Sequence, residues 1–361
     1  MSDRVLDEIK KYIESGNVNF IIGAGASIGA IKTLGDFEND ITKLIKDFQR
    51  ENSIESKQAI ANKLNLFLKC SIDPNKSLID ENVNVEDGVN DTLNQYKRFI
   101  QIIYKLLLLR GSDRLPKKIN IFTTNYDLFF ECACEELRII YNDGGIGNIK
   151  RYFSSKNFQK RVYQLSDSYS FEYETPVINL IKLHGSLNWF LNDKDSDIYI
   201  KNEICVSEIN IEKIDNKGFI VENTNVPIIL PTKQKFIRTL MEHTYYDLAR
   251  FYSNELEREH SVLFCFGFSF ADEHIRSITQ RALGNPSLSL LIFPYSAEDE
   301  LKMIEYFGNF PNVKIIRIEK NDEFTKVDYV SEKKCADNRK NINFNMFIEI
   351  FNNILTEVER V

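Results

Sequence analysis

Six short stretches of the chain are apolar with little alternation: VNFIIG (18–23), INIFTTN (119–125), INLIKLHG (178–185), SVLFCFGFS (261–269), LSLLIFP (288–294) and VKIIRI (313–318). A strand that reads apolar at successive positions is covered on both faces, the situation of a parallel sheet between layers of helix. Helical spacing lies between several of them, as in DEHIRSITQRAL (272–283) and EDELKMIEYFG (298–308). Strands alternating with helices predict right-handed crossovers and an α/β fold. Six such strands match a Rossmann-type, doubly wound, mostly parallel sheet.

Three intervals do not belong to the bare sheet. FENDITKLIKDFQ, IANKLNLFLKC and YKRFIQIIYKLLLL give residues 36–114 helical spacing, so the sheet carries a helical insertion, by default a surface addition. Residues 142–177 and 191–226 are rich in Asn, Asp, Lys and Ser and read as loops or small hairpins. The chain closes on Phe347, Ile350, Phe351, Ile354, Leu355 and Val358, the stripe of a helix packed on its own domain, with an oligomer contact as the alternative. The expected division is one domain over 1–325, then a tail and helix over 326–361. No internal repeat or low-complexity tract interrupts it.

Composition narrows the class. Hydrophobic residues make up 43% of the 361, enough for a substantial core, and a net charge of −7 argues against a surface built to hold nucleic acid. MSDRVLDEIKKYIESG reads as an amphipathic helix, because no apolar region follows the basic start of a signal peptide. IQIIYKLLLL (100–109) is too short to span a bilayer and contains Lys105. A cytoplasmic protein with no membrane partner is expected. Of the six cysteines, Cys70, Cys132, Cys134, Cys205, Cys265 and Cys335, one close pair exists, and its single intervening residue is not zinc-ribbon spacing. Reduced thiols, no disulfide and no zinc are the expectation.

In an open parallel sheet, ligands bind beyond the carboxyl ends of the strands. The first four apolar stretches run into GAGAS, TTNYD, KLHGS and GFSFADEH. Gly23, Gly25 and Ser27, with Ala24 and Ala26 between them, would let backbone N–H groups approach a phosphate. As a dinucleotide fingerprint the loop is imperfect: the third glycine position falls on Ile28, with Gly29 one place late. A strand-to-helix turn without a ligand is the alternative. Asn125 and Asp127, beside Thr123 and Thr124, offer donors and acceptors for an amide or a water; a helix N-cap explains any one of them equally. His184, before Gly185 and Ser186, is placed for a base, against a histidine bonded to a backbone carbonyl. Trp189 reads as core or pocket wall. Asp272 and Glu273, beside His274, read as capping residues of a helix start. His243, His260 and His274 lack the i, i+4 pairing of a zinc protease helix, and no Walker loop is present.

In order along the chain, these four motifs resemble the sirtuin superfamily, and within it the zinc-free bacterial sirtuin-like branch of NAD hydrolases associated with anti-phage defence. GAGAS is similar to the pyrophosphate loop, TTNYD to the Asn–Asp motif, KLHGS to the segment of the catalytic histidine, and GFSFADEHI to the glycine–serine loop that meets the ribose. PIILPTKQKF (227–236) is similar to a segment that precedes that loop in the bacterial branch. The two C-x-x-C pairs of the deacylases are missing, as is their proline- and arginine-bearing stretch after the first loop. The resemblance implies NAD as substrate and cleavage of its nicotinamide–ribose bond to nicotinamide and ADP-ribose. Gly23, Ala24, Gly25, Ala26 and Ser27 would hold the pyrophosphate, Gly267 and Ser269 the adenosine ribose. Thr124, Asn125 and Asp127 would meet the nicotinamide end, with Asp127 on the carboxamide and Asn125 on the water or ribose. His184 would accept the proton. It further implies an NAD-depleting effector of abortive infection, acting as a homo-oligomer, with a HerA-type ATPase or on a phage-derived trigger. An NAD-dependent deacylase or ADP-ribosyl transferase, and a non-catalytic NAD or ADP-ribose sensor, stay open as alternatives.

Overall fold

Hydrogen-bond pairing joins the six apolar stretches into one sheet. In the computed structural model they are β1 (Asn17–Ile22), β2 (Lys118–Thr123), β3 (Val177–Lys182), β4 (Ser261–Phe266), β5 (Ser289–Phe293) and β6 (Val313–Lys320). The structure describes residues 3–31, 34–51, 53–80, 83–110, 115–167, 170–192, 197–205, 210–215, 218–222, 239–320, 325–329 and 339–359. The strands lie in the order β3–β2–β1–β4–β5–β6, every neighbouring pair parallel. This is the order of a doubly wound Rossmann-type sheet. Tyr141–Asn142 extends the β3 edge in parallel, while Thr325–Tyr329 and Arg339–Lys340 pair antiparallel with β6.

Both faces are covered, which is why the strands read as unbroken apolar runs. Phe20, Ile22, Ile121 and Phe264 point to one face, against helices α1 (Asp3–Ser15), α4 (Asp87–Leu108), α5 (Phe129–Glu136) and α9 (Phe344–Glu359). Ile21, Phe122, Leu263 and Ile292 point to the other, against α6 (Thr239–Leu256), α7 (Glu273–Ala282) and α8 (Ala297–Phe307). On the first face Phe351 of α9 sits 5.6 Å from the Phe20 ring and 5.4 Å from Phe264, so the last helix is part of the main core. The helical insertion comprises α2 (Leu34–Glu51), α3 (Ile54–Ile79) and α4. α2 and α3 form a smaller core of their own that takes in Tyr126 and Leu187.

A polar line crosses the apolar sheet. Asn19, Asn120 and Asn179 stand opposite one another on β1, β2 and β3, all buried. Asn179 donates to Asn120 and Asn120 to Asn19, each at 2.8 Å, and Asn120 also donates to Glu255 of α6 at 2.9 Å. A one-residue slip would turn these amides to the opposite face, so the line specifies strand register.

The polar intervals form small antiparallel pairs: a four-stranded sheet that includes Arg151–Phe153 and Trp189–Leu191, and two-stranded pairs of Val162–Leu165 with Glu172–Thr175 and of Asn210–Asp215 with Gly218–Glu222. Trp189 is buried there. Cys132 and Cys134 lie on α5, and burial pushes the Cys132 thiol up to about 12, which leaves it unreactive. Among the described residues, no helix is long and apolar enough to cross a membrane.

Candidate functional site

The register brings four strand ends level. Ile22 pairs with Thr123 on one side and Phe266 on the other, and Thr123 pairs with Lys182. The loops that begin at Gly23, Thr124, Leu183 and Gly267 therefore start side by side on one rim. The strand order reverses between β1 and β4, the switch point at which doubly wound sheets bind ligands.

At that point the first and fourth loops touch backbone to backbone. Gly23 N–H donates to Phe266 O and Gly25 N–H to Gly267 O, both at 3.0 Å. A Cβ on Gly25 would stand 2.5 Å from the Gly267 Cα, and one on Gly23 would collide with the Gly267 carbonyl. Gly267 has φ +62°, a left-handed conformation that favours glycine. The small residues of GAGAS are thus required first by the neighbouring loop, a different reason from the approach of a phosphate. Ala24–Ala26 form a single 3₁₀ turn in which the Ala26 and Ser27 amides donate to Gly23 O and Ala24 O.

Ser27 is bound into the second loop. Its hydroxyl donates to Asp127 Oδ2 at 2.9 Å and therefore accepts from the Tyr96 hydroxyl of α4 at 2.7 Å. Asn125 Nδ2 donates to the same hydroxyl at 3.3 Å and to Gly23 O at 3.2 Å. A hydroxyl has one proton to give, so in this arrangement Ser27 Oγ holds Asp127 and has no donor left for a phosphate. Asn125 N–H donates to Thr123 Oγ1 at 3.0 Å, and Thr124 is buried beside it. The cap position of α5 falls on Leu128, which makes no side-chain cap, so neither Asn125 nor Asp127 is the cap residue. Each keeps one buried oxygen, Oδ1, without a hydrogen-bond partner among the described residues.

Those two residues line a cleft of about 30 Å³, together with Ala24, Ser27 and Ile31 of the first loop and Tyr126. Its far wall is Phe67 and Ser71 of α3. The helical insertion is therefore more than a surface addition: α3 closes the cleft and α4 supplies Tyr96.

Behind the second loop lies a charge that the sequence reading passed over. Lys182, the last residue of β3, is 3% exposed and pairs with Glu131 at 2.8 Å. Its ammonium also donates to the carbonyls of Asp127 and Tyr126 and to Ser186 Oγ. Burial raises the Asp127 carboxyl, against the opposing pull of Lys182 and of the Ser27 hydroxyl. Burial likewise pushes Glu131 up to about 7, against the same lysine. The visible sign was a lysine inside the apolar run INLIKLHG.

Among the described residues, the partner of His184 is a carboxylate and not a backbone carbonyl. Its Nε2 lies 2.9 Å from Asp272 Oδ2, across from the fourth loop. Asp272 is the N-cap of α7 as expected, with Oδ1 accepting from the amides of His274 at 2.9 Å and Ile275 at 3.2 Å. Burial works to raise this carboxyl, but the His184 hydrogen bond and charge and the two amides outweigh it and hold it at about 2. The Tyr245 ring of α6 lies 6.2 Å from that of His184, centroid to centroid. Ser269 is exposed, and its hydroxyl accepts the Ala271 amide at 3.4 Å.

The rim residues thus fall into three sets: Gly23 and Gly25 with Gly267; Ser27 with Asn125 and Asp127; and His184 with Asp272. Neither His184 nor Ser269 lines the cleft. Residues 227–236 lie outside the described residues, as does Cys335. Among the described residues, no group of three or more His, Cys, Asp or Glu side chains is arranged to hold a metal ion.

The family model of the SIR2-like domain matches residues 119–309, more than half of the 361-residue chain. No curated protein shows a significant match to the chain. Among solved structures, a Sir2 homologue in complex with NAD is 12% identical, with 98% of this chain and 94% of that one covered, at a TM-score of 0.45. A mutant Sir2 homologue in complex with ADP-ribose is 13% identical over 100% and 97% of the two chains, also at 0.45. These distant likenesses add nothing to the assignment, which rests on the family match. That match spans the second, third and fourth rim loops, with Asn125, His184 and Asp272 in them, and the chain belongs to the SIR2-like domain family.

Proposed function

We propose that the chain is an NAD glycohydrolase that cleaves the nicotinamide–ribose bond. The observation that carries this reading is that Asn125 and Asp127, each with a buried Oδ1 that has no partner among the described residues, both line the cleft. An unpaired buried acceptor costs roughly 1–3 kcal/mol, so the site favours a ligand that brings N–H donors or positive charge. The carboxamide and the pyridinium of NAD bring both. When the C1′–N bond breaks, its electron pair returns to the nicotinamide nitrogen and the ribose becomes oxocarbenium-like, as in other glycosidic cleavages. Asp127 would hold the carboxamide and Asn125 the ribose or the incoming water. The water would add to C1′ and give its proton to His184, yielding ADP-ribose and nicotinamide. Gly23 to Ser27, Thr124, Gly267 and Ser269 would contact the rest of the dinucleotide, with Ser27 acting through Asp127.

The sequence supports a zinc-free hydrolase over a deacylase, since it has no C-x-x-C pair to form a closed thiolate site. A role in anti-phage defence, with NAD depletion released by a phage-derived trigger or a HerA-type ATPase in a homo-oligomer, rests on the motif resemblance.

The test is nicotinamide release from NAD by purified protein, with Asn125→Ala and His184→Ala alongside. Wild type is expected to release nicotinamide and both variants to stay at background while remaining folded. General acid–base help contributes about 10²–10⁴-fold, so loss of His184 should silence a slow hydrolase. Saturable NAD binding without release would replace this reading with a sensor; release only in the presence of an acyl peptide would replace it with a deacylase.

A further inference from the structure

Asp272 serves two elements at once. One oxygen caps α7 through two amides, and the other faces the His184 ring at 2.9 Å, 88 residues away in the chain. A helix cap needs only the first contact. The carboxyl stays ionised at any working pH, with its value held at about 2, and an ionised carboxylate is an acceptor only. A neutral imidazole has one N–H to donate and one lone pair. With an obligate acceptor against Nε2, the proton belongs on Nε2.

We propose that Asp272 is the positioning residue of His184: it fixes the ring as the Nε2–H tautomer and leaves Nδ1 as the nitrogen that takes up a proton. The catalytic consequence rests on the glycohydrolase reading; the tautomer does not. The same bond ties the third rim loop to the start of α7, so the ring's direction is set by a helix that also carries the end of the fourth loop. Tyr245, whose ring lies near that of His184, remains protonated because burial raises its hydroxyl, so it does not compete as an acceptor anion.

Asp272→Asn separates the two duties. Asparagine caps helices as well as aspartate, so α7 keeps its start. Its NH₂ group would then face Nε2, which must accept, and the ring is driven to the Nδ1–H form. Nitrogen NMR of ¹⁵N-histidine-labelled protein reads the tautomer directly, and with four histidines in the chain the signal is assigned by its loss in His184→Ala. The expected result is Nε2–H in wild type and Nδ1–H in Asp272→Asn, with the α7 amides equally protected from exchange. Nicotinamide release should fall about 10²–10⁴-fold in the variant, with KM for NAD within about threefold, as when a histidine base is held in the wrong tautomer. Asp272→Ser, which still caps but cannot reach the ring, is expected to lose the single-tautomer signal and most of the turnover.

Nδ1–H in wild type, or the same tautomer in wild type and Asp272→Asn, would overturn the assignment. So would Asp272→Asn turnover within threefold of an active wild type. A wild type that holds Nε2–H yet releases no nicotinamide would leave the tautomer standing and remove the glycohydrolase instead.

Discussion

Asp272 is expected to affect stability apart from any chemistry. Its carboxyl titrates at about 2 in the folded chain against an ordinary 3.8, so between those values the unfolded chain binds more protons. The stabilisation is complete above about pH 4 and is lost as pH falls through 2. At 1.36 kcal/mol per unit the difference is roughly 2 kcal/mol, and the side chain is buried enough for most of it to persist. Denaturant melts at pH 5 and pH 2.5 should show wild type losing more stability than Asp272→Asn; equal losses would deny that His184 and the α7 amides favour the ionised carboxyl. Gly25 calls for the opposite caution. Gly25→Val would press a side chain into the Gly267 backbone, so it reports on the contact between loops, and weaker NAD binding by it would say nothing of a phosphate.

At the level of elements, the asparagine line across β1, β2 and β3 is the least expected feature of the sheet. It sits where the pattern called for apolar residues, and its amides bond strand to strand and on to Glu255. Asn120→Leu is close in size but removes the central link, stranding polar groups on Asn19, Asn179 and Glu255. Each orphaned group costs about 1–3 kcal/mol, so a drop of several kcal/mol in unfolding free energy is expected from denaturant titration. A loss under 1 kcal/mol would show that the line does not support the sheet. By contrast, α9 follows its sequence pattern: the stripe at Phe347, Ile350, Phe351 and Ile354 is the face that meets the sheet.

On the scale of the molecule, the cleft is a seam between two cores, the Rossmann rim and the helical insertion. Phe67 and Ser71 of α3 wall it on one side, so a ligand seated on Asn125 and Asp127 lies against that helix. α3 has a place to give way. Pro74 lies inside it and removes the amide that would bond the Cys70 carbonyl, while Asn75 ties the same turn to the Leu128 amide at 2.7 Å. Hydrogen exchange with and without NAD should therefore change along residues 54–79 and leave α9 as it was. Saturable NAD binding with no change in α3 would place the nicotinamide end away from the Asn125 cleft.

The amino-acid sequence by itself determined the six sheet strands, because burial on both faces writes itself as unbroken apolar runs, and it placed their polar ends on one rim. It also exposed Asn125, Asp127 and His184, since an amide, a carboxylate and an imidazole stand out where a strand stops. The tertiary structure alone decided how they are partnered. His184 meets Asp272 across 88 positions, and Gly25 meets Gly267 through backbone atoms that leave no trace in residue type. Lys182 was hidden because an ammonium in an apolar strand is read as a break in the pattern until its carbonyl and carboxylate partners are in place. The role of α3 was hidden for a related reason: helical spacing gives a face, and only the fold decides what that face is pressed against.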